Sequence, residues 1–200
     1  MFLYGASGHA KVIIDILKAN RVAIEGLVDD NPNLSALLEF PVFHSLNPDM
    51  KEFIISIGRN RTRKLLAEKL AAQQAEFLTA VHPSAVLSEY AKIGEGTVVM
   101  QGAVVQSCTQ IGRHCIVNTG ARIDHECRIG DFVHVSPGAT LCGNVTVGEG
   151  SWIGAGSTVI QGVRIGRWCM IGAGSVVTRN IPDGVLAVGC PCRAIKEYEP

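Results

Sequence analysis

The chain has 200 residues, which is enough for one large domain or two small ones. Its 18 basic residues balance its 18 acidic ones, so no general attraction to nucleic acid or to an anionic membrane is expected. It has no secretion signal and no apolar run long enough to span a bilayer, which predicts a soluble cytoplasmic protein. The 7 cysteines contain no CxxC pair and favour reduced thiols over disulfides or zinc.

The first 80 residues alternate between strand and helix patterns. Residue spacing predicts strands over 2–4, 23–28 and 53–57, and helices over 10–19 and from about 61 to 74. This alternation predicts a small, Rossmann-like parallel sheet with covering helices, which we assign to a domain of residues 1–80.

Polar residues and glycines follow each of these predicted strands. They are Ser7, Gly8 and His9 after the first strand, Asp29 and Asp30 after the second, and Gly58 after the third. Because ligands of parallel sheets bind beyond the carboxyl ends of the strands, these residues are candidate ligand contacts. The first turn has GxxG rather than GxGxxG spacing, so it is either a phosphate cradle, as for a nucleotide sugar, or a structural turn.

A hexapeptide repeat fills the remainder of the chain. Every sixth residue from Val81 to Val177 is aliphatic, over seventeen positions without an insertion, and the residue two places earlier is small. Ile-Gly or Val-Gly pairs recur every 18 residues, which indicates three hexapeptides in each triangular coil. We therefore predict a parallel β-helix with a short tail over residues 81–200. The small interior position includes Cys115, Cys127 and Cys169, whereas Cys108 and Cys142 lie off it and have no assigned role.

The most polar irregularity in the repeat is Asp124-His125-Glu126, followed by His134. His125 lies two residues after an interior aliphatic residue, near a predicted corner, where a side chain can point outward. A histidine flanked by carboxylates is suited to general base catalysis. A plain surface group is one alternative. A metal site using Cys127 and His134 is another, but the interior placement of Cys127 counts against it.

Five segments of the chain, in this order, carry a more specific resemblance. They are Tyr4-Gly5-Ala6-Ser7-Gly8-His9, Asp29-Asp30, Ile57-Gly58-Arg59-Asn60, Asp124-His125-Glu126-Cys127 and His134-Val135-Ser136-Pro137-Gly138. Together they resemble the NeuD type of sugar O-acyltransferases among the hexapeptide-repeat transferases, most of all the UDP-4-amino-sugar N-acetyltransferases of bacillosamine biosynthesis. The chain departs from the family pattern at Ala10 and at Pro191-Cys192.

The resemblance implies a left-handed β-helix, a homotrimer with active sites between adjacent subunits, and acetyl-CoA as co-substrate without a metal. It implies that His125 is the general base and that Glu126 increases its basicity. The sugar nucleotide would contact Ser7, Gly8, His9, Asp29, Asp30 and Gly58. Acetyl-CoA would contact His134 and the main chain near Gly143, Ala155 and Ala173. The implied reaction is direct acetyl transfer to the 4-amino group of a UDP-linked 4-amino-4,6-dideoxy sugar.

Two other functions fit parts of the same sequence. An O-acetyltransferase of sialic acid or another sugar hydroxyl would use the same fold and base. A noncatalytic or metal-binding β-helix trimer is the other. Its metal-binding form needs a histidine cluster on zinc, and a purely structural form would leave the histidine–carboxylate group and the added sheet without a role. The sequence does not distinguish UDP-linked from dTDP-linked sugars.

Overall fold

The computed structural model describes residues 1–199, which begin with a six-stranded sheet and two helices. The elements are β1 (Phe2–Tyr4), α1 (Gly8–Ala19), β2 (Gly26–Val28), β3 (Ala36–Leu37), β4 (Phe40–Phe43), β5 (Glu52–Ile55), α2 (Asn60–Ala71) and β6 (Glu76–Phe77). The strand order is β3-β4-β2-β1-β5-β6. All neighbours are parallel except β3 and β4, which form an antiparallel pair. The sheet is therefore mixed, whereas a parallel sheet was predicted.

The β3–β4 pair and β6 were missed in the sequence. β3 and β6 have two residues each, and β4 contains Pro41, which usually counts against a strand. Within β3 and β4 only Val42 is buried, so the apolar alternation that marks a strand is absent. The three longer predicted strands and both helices are present. The first strand has the predicted ends, and no end of the others is displaced by more than three residues.

The strand order places a topological switch point between β1 and β5. The chain leaves β1 through α1 to β2 on one side, whereas β5 pairs with β1 on the other side. In open α/β sheets a crevice forms beyond the carboxyl ends of the strands at such a point. We call this crevice, between residues 5–9 and residues 57–60, the β1–β5 cleft.

The rest of the described residues form a left-handed parallel β-helix with three faces, whose last strand pairs antiparallel with its neighbour. The first face contains β7 (Ala80–Val81), β10 (Val98–Val99), β13 (Ile116–Val117), β16 (His134–Val135), β19 (Trp152–Ile153), β22 (Met170–Ile171), β24 (Val185–Val188) and β25 (Arg193–Glu197). The second contains β8 (Val86–Leu87), β11 (Val104–Val105), β14 (Arg122–Ile123), β17 (Thr140–Leu141), β20 (Thr158–Val159) and β23 (Val176–Val177). The third contains β9 (Lys92–Ile93), β12 (Gln110–Ile111), β15 (Arg128–Ile129), β18 (Thr146–Val147) and β21 (Arg164–Ile165).

The register of the coils confirms the 18-residue period. Ile116 pairs with His134, and His134 pairs with Trp152, so equivalent positions stack directly. From Val99 to Val177 every predicted interior aliphatic residue is buried, as are Cys115, Cys127 and Cys169. No loop interrupts the coils, so functional side chains project from the faces and from the ridges between them.

The small sheet covers the first face of the β-helix. Ile13 and Ile14 of α1 belong to one buried cluster with Val98, Met100 and Ile116 from that face. The second and third faces are left uncovered by this sheet. Within residues 1–199 no helix has both the length and the apolar character needed to cross a bilayer.

Candidate active site

The β1–β5 cleft is bordered by the amino termini of both helices. Neither Ser7 nor Arg59, the residues before α1 and α2, caps its helix through its side chain. The first N–H groups of both helices are therefore not satisfied by side-chain capping, and such groups favour phosphate. An added Cβ at Gly8 or Gly58 would meet no atom within 4 Å, so both glycines face open space.

Asp29 organises the main chain at the edge of this cleft. Its carboxylate accepts hydrogen bonds from the N–H of Ala6 at 2.7 Å and of Asn31 at 2.9 Å. Asp30 accepts a hydrogen bond from the Tyr4 hydroxyl at 3.0 Å, and burial together with Asp30 raises the pKa of Tyr4 to about 12. Asp29 therefore shapes the turn after β1, while Asp30 remains exposed at the cleft.

Two imidazoles, the partly buried His9 and the buried His134, lie where this cleft meets the β-helix. His134 is 6% exposed on the first face, where its ring stacks on Trp152 and its Nε2 is 3.0 Å from the Asn118 amide nitrogen. Burial lowers the pKa of His134 to about 3, with the charges of Arg63 and His9 adding to this effect and the Gly58 main chain opposing it. Burial also lowers the pKa of His9 to about 4. Both imidazoles are therefore neutral at pH 7.

His9 Nε2 and His134 Nδ1 are buried without a hydrogen-bond partner in the part of the chain that the structure describes. Unpaired buried polar atoms are costly, and a bound ligand commonly satisfies them. The structure thus brings the predicted contacts His9, Gly58 and His134 together at one junction.

His125 lies elsewhere, on the ridge between the second and third faces. This ridge is opposite the first face, which carries His134, so the two histidines do not share a site within one chain. Within one chain, therefore, closeness in sequence does not place these two histidines on the same surface. The cause is the triangular coil, in which residues nine apart are half a coil apart and point in opposite directions.

His125 and Glu126 have the geometry of a base and its orienting carboxylate. His125 Nδ1 is 3.0 Å from Glu126 Oε2, which leaves Nε2 free to accept a proton. The His125 side chain is 56% exposed, so a substrate can reach it. Glu126 has a φ of 60°, a left-handed conformation at the ridge that turns its side chain alongside the imidazole.

Gly143 lies one coil beyond His125, directly against its ring. A Cβ added at Gly143 would lie 2.6 Å from His125 Cε1 and 2.7 Å from Nε2. No acceptor within residues 1–199 pairs with the Gly143 N–H, which leaves this group available beside the histidine. The absence of a side chain at Gly143 therefore lets the imidazole lie close to a main-chain donor.

We predict that Gly143→Ala moves the His125 ring and reduces kcat about 10- to 100-fold, since small displacements of a catalytic group have effects of this size. The alanine retains the main-chain N–H and needs no positive φ. Steady-state kinetics and a double-mutant cycle with His125→Ala test this expectation. Gly143→Ala should have little further effect once the ring is absent, and a full additional loss in the double variant would contradict the explanation.

The predicted acetyl-CoA contacts do not lie on one ridge. Ala155 and Ala173 are exposed on the ridge between the first and second faces, whereas Gly143 lies on the ridge between the second and third faces. A groove of about 670 Å³ runs along the third face and contains none of the predicted site residues. In one chain, the predicted acetyl-CoA contacts therefore lie on separate surfaces.

No group of three or more His, Cys, Asp or Glu side chains is placed to hold a metal ion among residues 1–199. Cys127, the third ligand considered for such a site, is fully buried in the coil interior, with its Sγ directed at the Cys142 carbonyl oxygen 3.2 Å away. Its side chain is thus separated from the exposed His125.

Comparison with known proteins agrees with both parts of the fold. Residues 1–70 match the PglD N-terminal domain model, and residues 90–179 match the bacterial transferase hexapeptide model. A solved perosamine N-acetyltransferase from Caulobacter crescentus, in complex with CoA and GDP-perosamine, is 36% identical with a TM-score of 0.92. That match covers 98% of this chain and 96% of the other. The chain belongs to the PglD-like family of hexapeptide-repeat acetyltransferases.

Two further PglD-like relatives support this membership. The acetyltransferase domain of PglB from Neisseria gonorrhoeae, in complex with acetyl coenzyme A, is 36% identical with a TM-score of 0.90, and the match covers 97% of this chain and 98% of the other. UDP-N-acetylbacillosamine N-acetyltransferase from Bacillus subtilis is 42% identical over 111 residues, which are 49% of this chain and 50% of that protein. The matched region thus spans about half the length of this curated relative.

The structure also shows residues that the sequence did not single out for function. Arg63 and Asn60 of α2 are buried at the junction between the small sheet and the β-helix. Asn60 belongs to a segment that carries the family resemblance, but Arg63 is one of several charged residues in α2. Only its burial distinguishes Arg63, and burial of a single helical arginine cannot be read from sequence spacing.

Proposed function

We propose that this protein transfers the acetyl group of acetyl-CoA to an amine of a nucleotide-linked amino sugar, with His125 as general base. The observation that carries the proposal is the His125–Glu126 pair beside Gly143, on a chain that also has an uncapped β1–β5 cleft. The acceptor we propose is the 4-amino group of a UDP-linked 4-amino-4,6-dideoxy sugar, in line with the name of the Bacillus subtilis relative.

The proposed chemistry is a direct transfer. The sugar amine attacks the thioester carbonyl carbon while His125 Nε2 accepts a proton from the nitrogen. The Gly143 N–H is placed beside this ring and would stabilise the oxyanion of the tetrahedral intermediate. The C–S bond then breaks, the amide forms, and the proton on His125 neutralises the CoA thiolate. Both co-substrates are metabolites of the cytoplasm, where we propose that the protein acts.

We further propose that the site is shared between subunits of a trimer. His125 and Gly143 lie opposite the junction that holds His9, Gly58 and His134, and Ala155 and Ala173 lie on a third surface. A neighbouring subunit would bring its junction, and its ridge with Ala155 and Ala173, next to the His125 ridge of the first subunit. Both co-substrates could then bind in one site, formed by residues that lie on separate surfaces of a single chain. A trimer of this kind has the cyclic symmetry common to homo-oligomers.

The direct test is CoA release measured with a panel of acceptors. The panel contains UDP-, dTDP- and GDP-linked 4-amino sugars, because the relatives include proteins named for a UDP sugar and for a GDP sugar. We expect turnover with an amine acceptor and formation of an amide. Transfer to sugar hydroxyls together with failure on every amine would instead establish the O-acetyltransferase alternative.

Mixed oligomers provide the prediction for a shared site. Gly58→Val fills open space without a clash and should block the β1–β5 cleft, while His125→Ala removes the base. Each variant alone should be nearly inactive. Randomly mixed subunits should recover about a quarter of wild-type activity, because one site in four combines an intact base with an intact cleft. No recovery in mixed oligomers verified by differential tagging would place the whole site within one chain.

A further inference from the structure

Arg63 connects the β1–β5 cleft to the β-helix through a buried guanidinium. It is 1% exposed and donates five hydrogen bonds. Within the small sheet, its Nη1 donates to the carbonyl oxygens of Ile57 at 2.9 Å and Gly58 at 3.0 Å. On the β-helix, its Nε donates to His114 O at 2.8 Å and its Nη2 to Phe132 O at 2.9 Å.

The remaining hydrogen bond makes Asn60 part of the same arrangement. Arg63 Nη2 donates to Asn60 Oδ1 at 2.8 Å, and Asn60 Nδ2 donates to the carbonyl oxygens of Gly150 at 3.0 Å and Ser151 at 3.2 Å. His114, Phe132 and Gly150 are equivalent positions on three successive coils, at the ridge between the third and first faces. The two side chains together therefore bind the loop after β5 to three coils.

All five N–H groups of the guanidinium are used, and all five acceptors are neutral. Burial lowers the pKa of Arg63 to about 10, so the side chain is still charged at neutral pH. A buried charge without a carboxylate partner is unfavourable unless each donor is satisfied. The site around Arg63 consequently requires five donors in fixed directions. Lysine, with three donors on a flexible stem, cannot supply them.

The two acceptors in the small sheet belong to the cleft itself. Gly58 is a predicted sugar-nucleotide contact with open space on its Cα, and its main chain lies near the His134 imidazole. When Arg63 binds the carbonyl oxygens of residues 57 and 58, it fixes the position of this loop relative to the coil that carries His134. A displacement of the loop would change the depth at which a nucleotide sugar sits against the β-helix.

We propose that Arg63, supported by Asn60, is a positioning residue that sets the nucleotide-sugar side of the active site relative to the β-helix. This inference rests on the proposed function. It assigns Arg63 no contact with either substrate. Its effect reaches the nucleotide sugar through the main chain of residues 57 and 58, and it leaves the acetyl-CoA surfaces at Gly143, Ala155 and Ala173 untouched. His134, the other predicted acetyl-CoA contact, keeps its place through Trp152 and Asn118 of the β-helix.

The test compares Arg63→Lys with the neighbouring variant Lys64→Met. Lys64 also joins α2 to the same ridge, through Glu149 at 2.6 Å and the rings of Phe132 and Trp168, but its ion pair and ring contacts lie away from residues 57 and 58. Arg63→Lys should raise KM for the nucleotide sugar about tenfold or more, since it loses charged hydrogen bonds to the loop. KM for acetyl-CoA should stay within about twofold, and Lys64→Met should leave both constants near wild type.

Calorimetric binding of UDP, GDP and CoA tests the inference without relying on turnover. Weaker nucleoside diphosphate binding by Arg63→Lys, with unchanged CoA binding, supports it. Unchanged nucleotide binding, or equal losses for nucleotide and CoA, would overturn it. If Arg63→Lys does not fold, Asn60→Ala is judged by the same criteria. Failure of the proposed function would look different, because the wild type would bind both ligands but acetylate no amino sugar.

Discussion

Replacing His125 with alanine should reduce kcat about 10²- to 10⁴-fold, the range expected for loss of a general base. The KM for the nucleotide sugar should change little, because the β1–β5 cleft of the neighbouring subunit is proposed to hold the nucleotide, whereas His125 acts only on the reacting amine. The fold should be retained, since the imidazole is 56% exposed and lies outside the interior of the coils. Steady-state kinetics with both substrates varied, together with circular dichroism, measure these quantities.

His82→Ala is the matched control for this variant. His82 also lies on the β-helix, close to a strand end, and its Nδ1 is 2.7 Å from the Ser84 hydroxyl rather than from a carboxylate. Its removal should leave kcat unchanged. Turnover of the His125→Ala enzyme within a few-fold of wild type across the pH range would show that another group accepts the proton.

Acidification should destabilise this protein strongly through three neutral histidines, of which His114 and His134 are buried and His9 is partly buried. Burial is the largest cause in each case, and it lowers the pKa of His9 and His114 to about 4 and of His134 to about 3. In the unfolded chain each histidine titrates near pH 6.5. Between pH 6.5 and pH 4 the unfolded state therefore binds more protons than the folded state, and stability falls as the pH falls.

Each such histidine contributes about 1.4 kcal/mol per pH unit inside this window. The free energy of unfolding should thus be about 5 kcal/mol lower at pH 5 than at pH 7, which is comparable with the whole stability of many domains. Urea unfolding at a fixed protein concentration, repeated from pH 7.5 to pH 4.5, measures the change. All three histidines lie between the small sheet and the β-helix, so this junction should open first.

His114→Phe provides the comparison that assigns the effect to these residues. The His114 ring stacks on Phe132 at 5.2 Å and meets the Phe77 ring edge-on at 4.5 Å, so a phenyl ring can take its place. The variant should lose about 2 kcal/mol less than wild type between pH 7 and pH 5. An identical pH dependence in the two proteins would mean that other groups cause the acid sensitivity.

The β-helix could be predicted almost completely from the sequence. Its period is local, because each hexapeptide buries one aliphatic and one small side chain against the equivalent positions of the adjacent coils. A single register satisfies all seventeen aliphatic positions from Val81 to Val177. The small sheet was less predictable. Its long strands alternate with helices and were found. The β3–β4 pair lies at the sheet edge, where only Val42 is buried and the side-chain pattern therefore carries little information. The division of the chain at residue 80 stays a prediction.

The candidate site also has a part that the sequence predicted and a part that it could not predict. The candidate base and its carboxylate are adjacent in sequence, so Asp124-His125-Glu126 predicted the pair directly, and the structure shows the His125–Glu126 hydrogen bond. The surroundings of His134 could not be foreseen. They depend on which face of the coil the small sheet covers, and that choice is made by contacts between residues more than fifty positions apart, such as Arg63 with His114 and Phe132.

By itself, the sequence determined the repeat, the interior of the coils, the elements of the cleft and the identity of the candidate base. These properties follow from local spacing. In the β-helix, for example, the place of a residue within its hexapeptide decides whether its side chain faces the interior or the solvent. Only the tertiary structure decided that His9, Gly58 and His134 meet at one junction, that His125 lies on the opposite ridge, and that Arg63 holds the loop after β5. The physical reason is the docking of two separately folded layers, in which burial of a charged side chain is compensated by main-chain carbonyl groups that no sequence pattern marks.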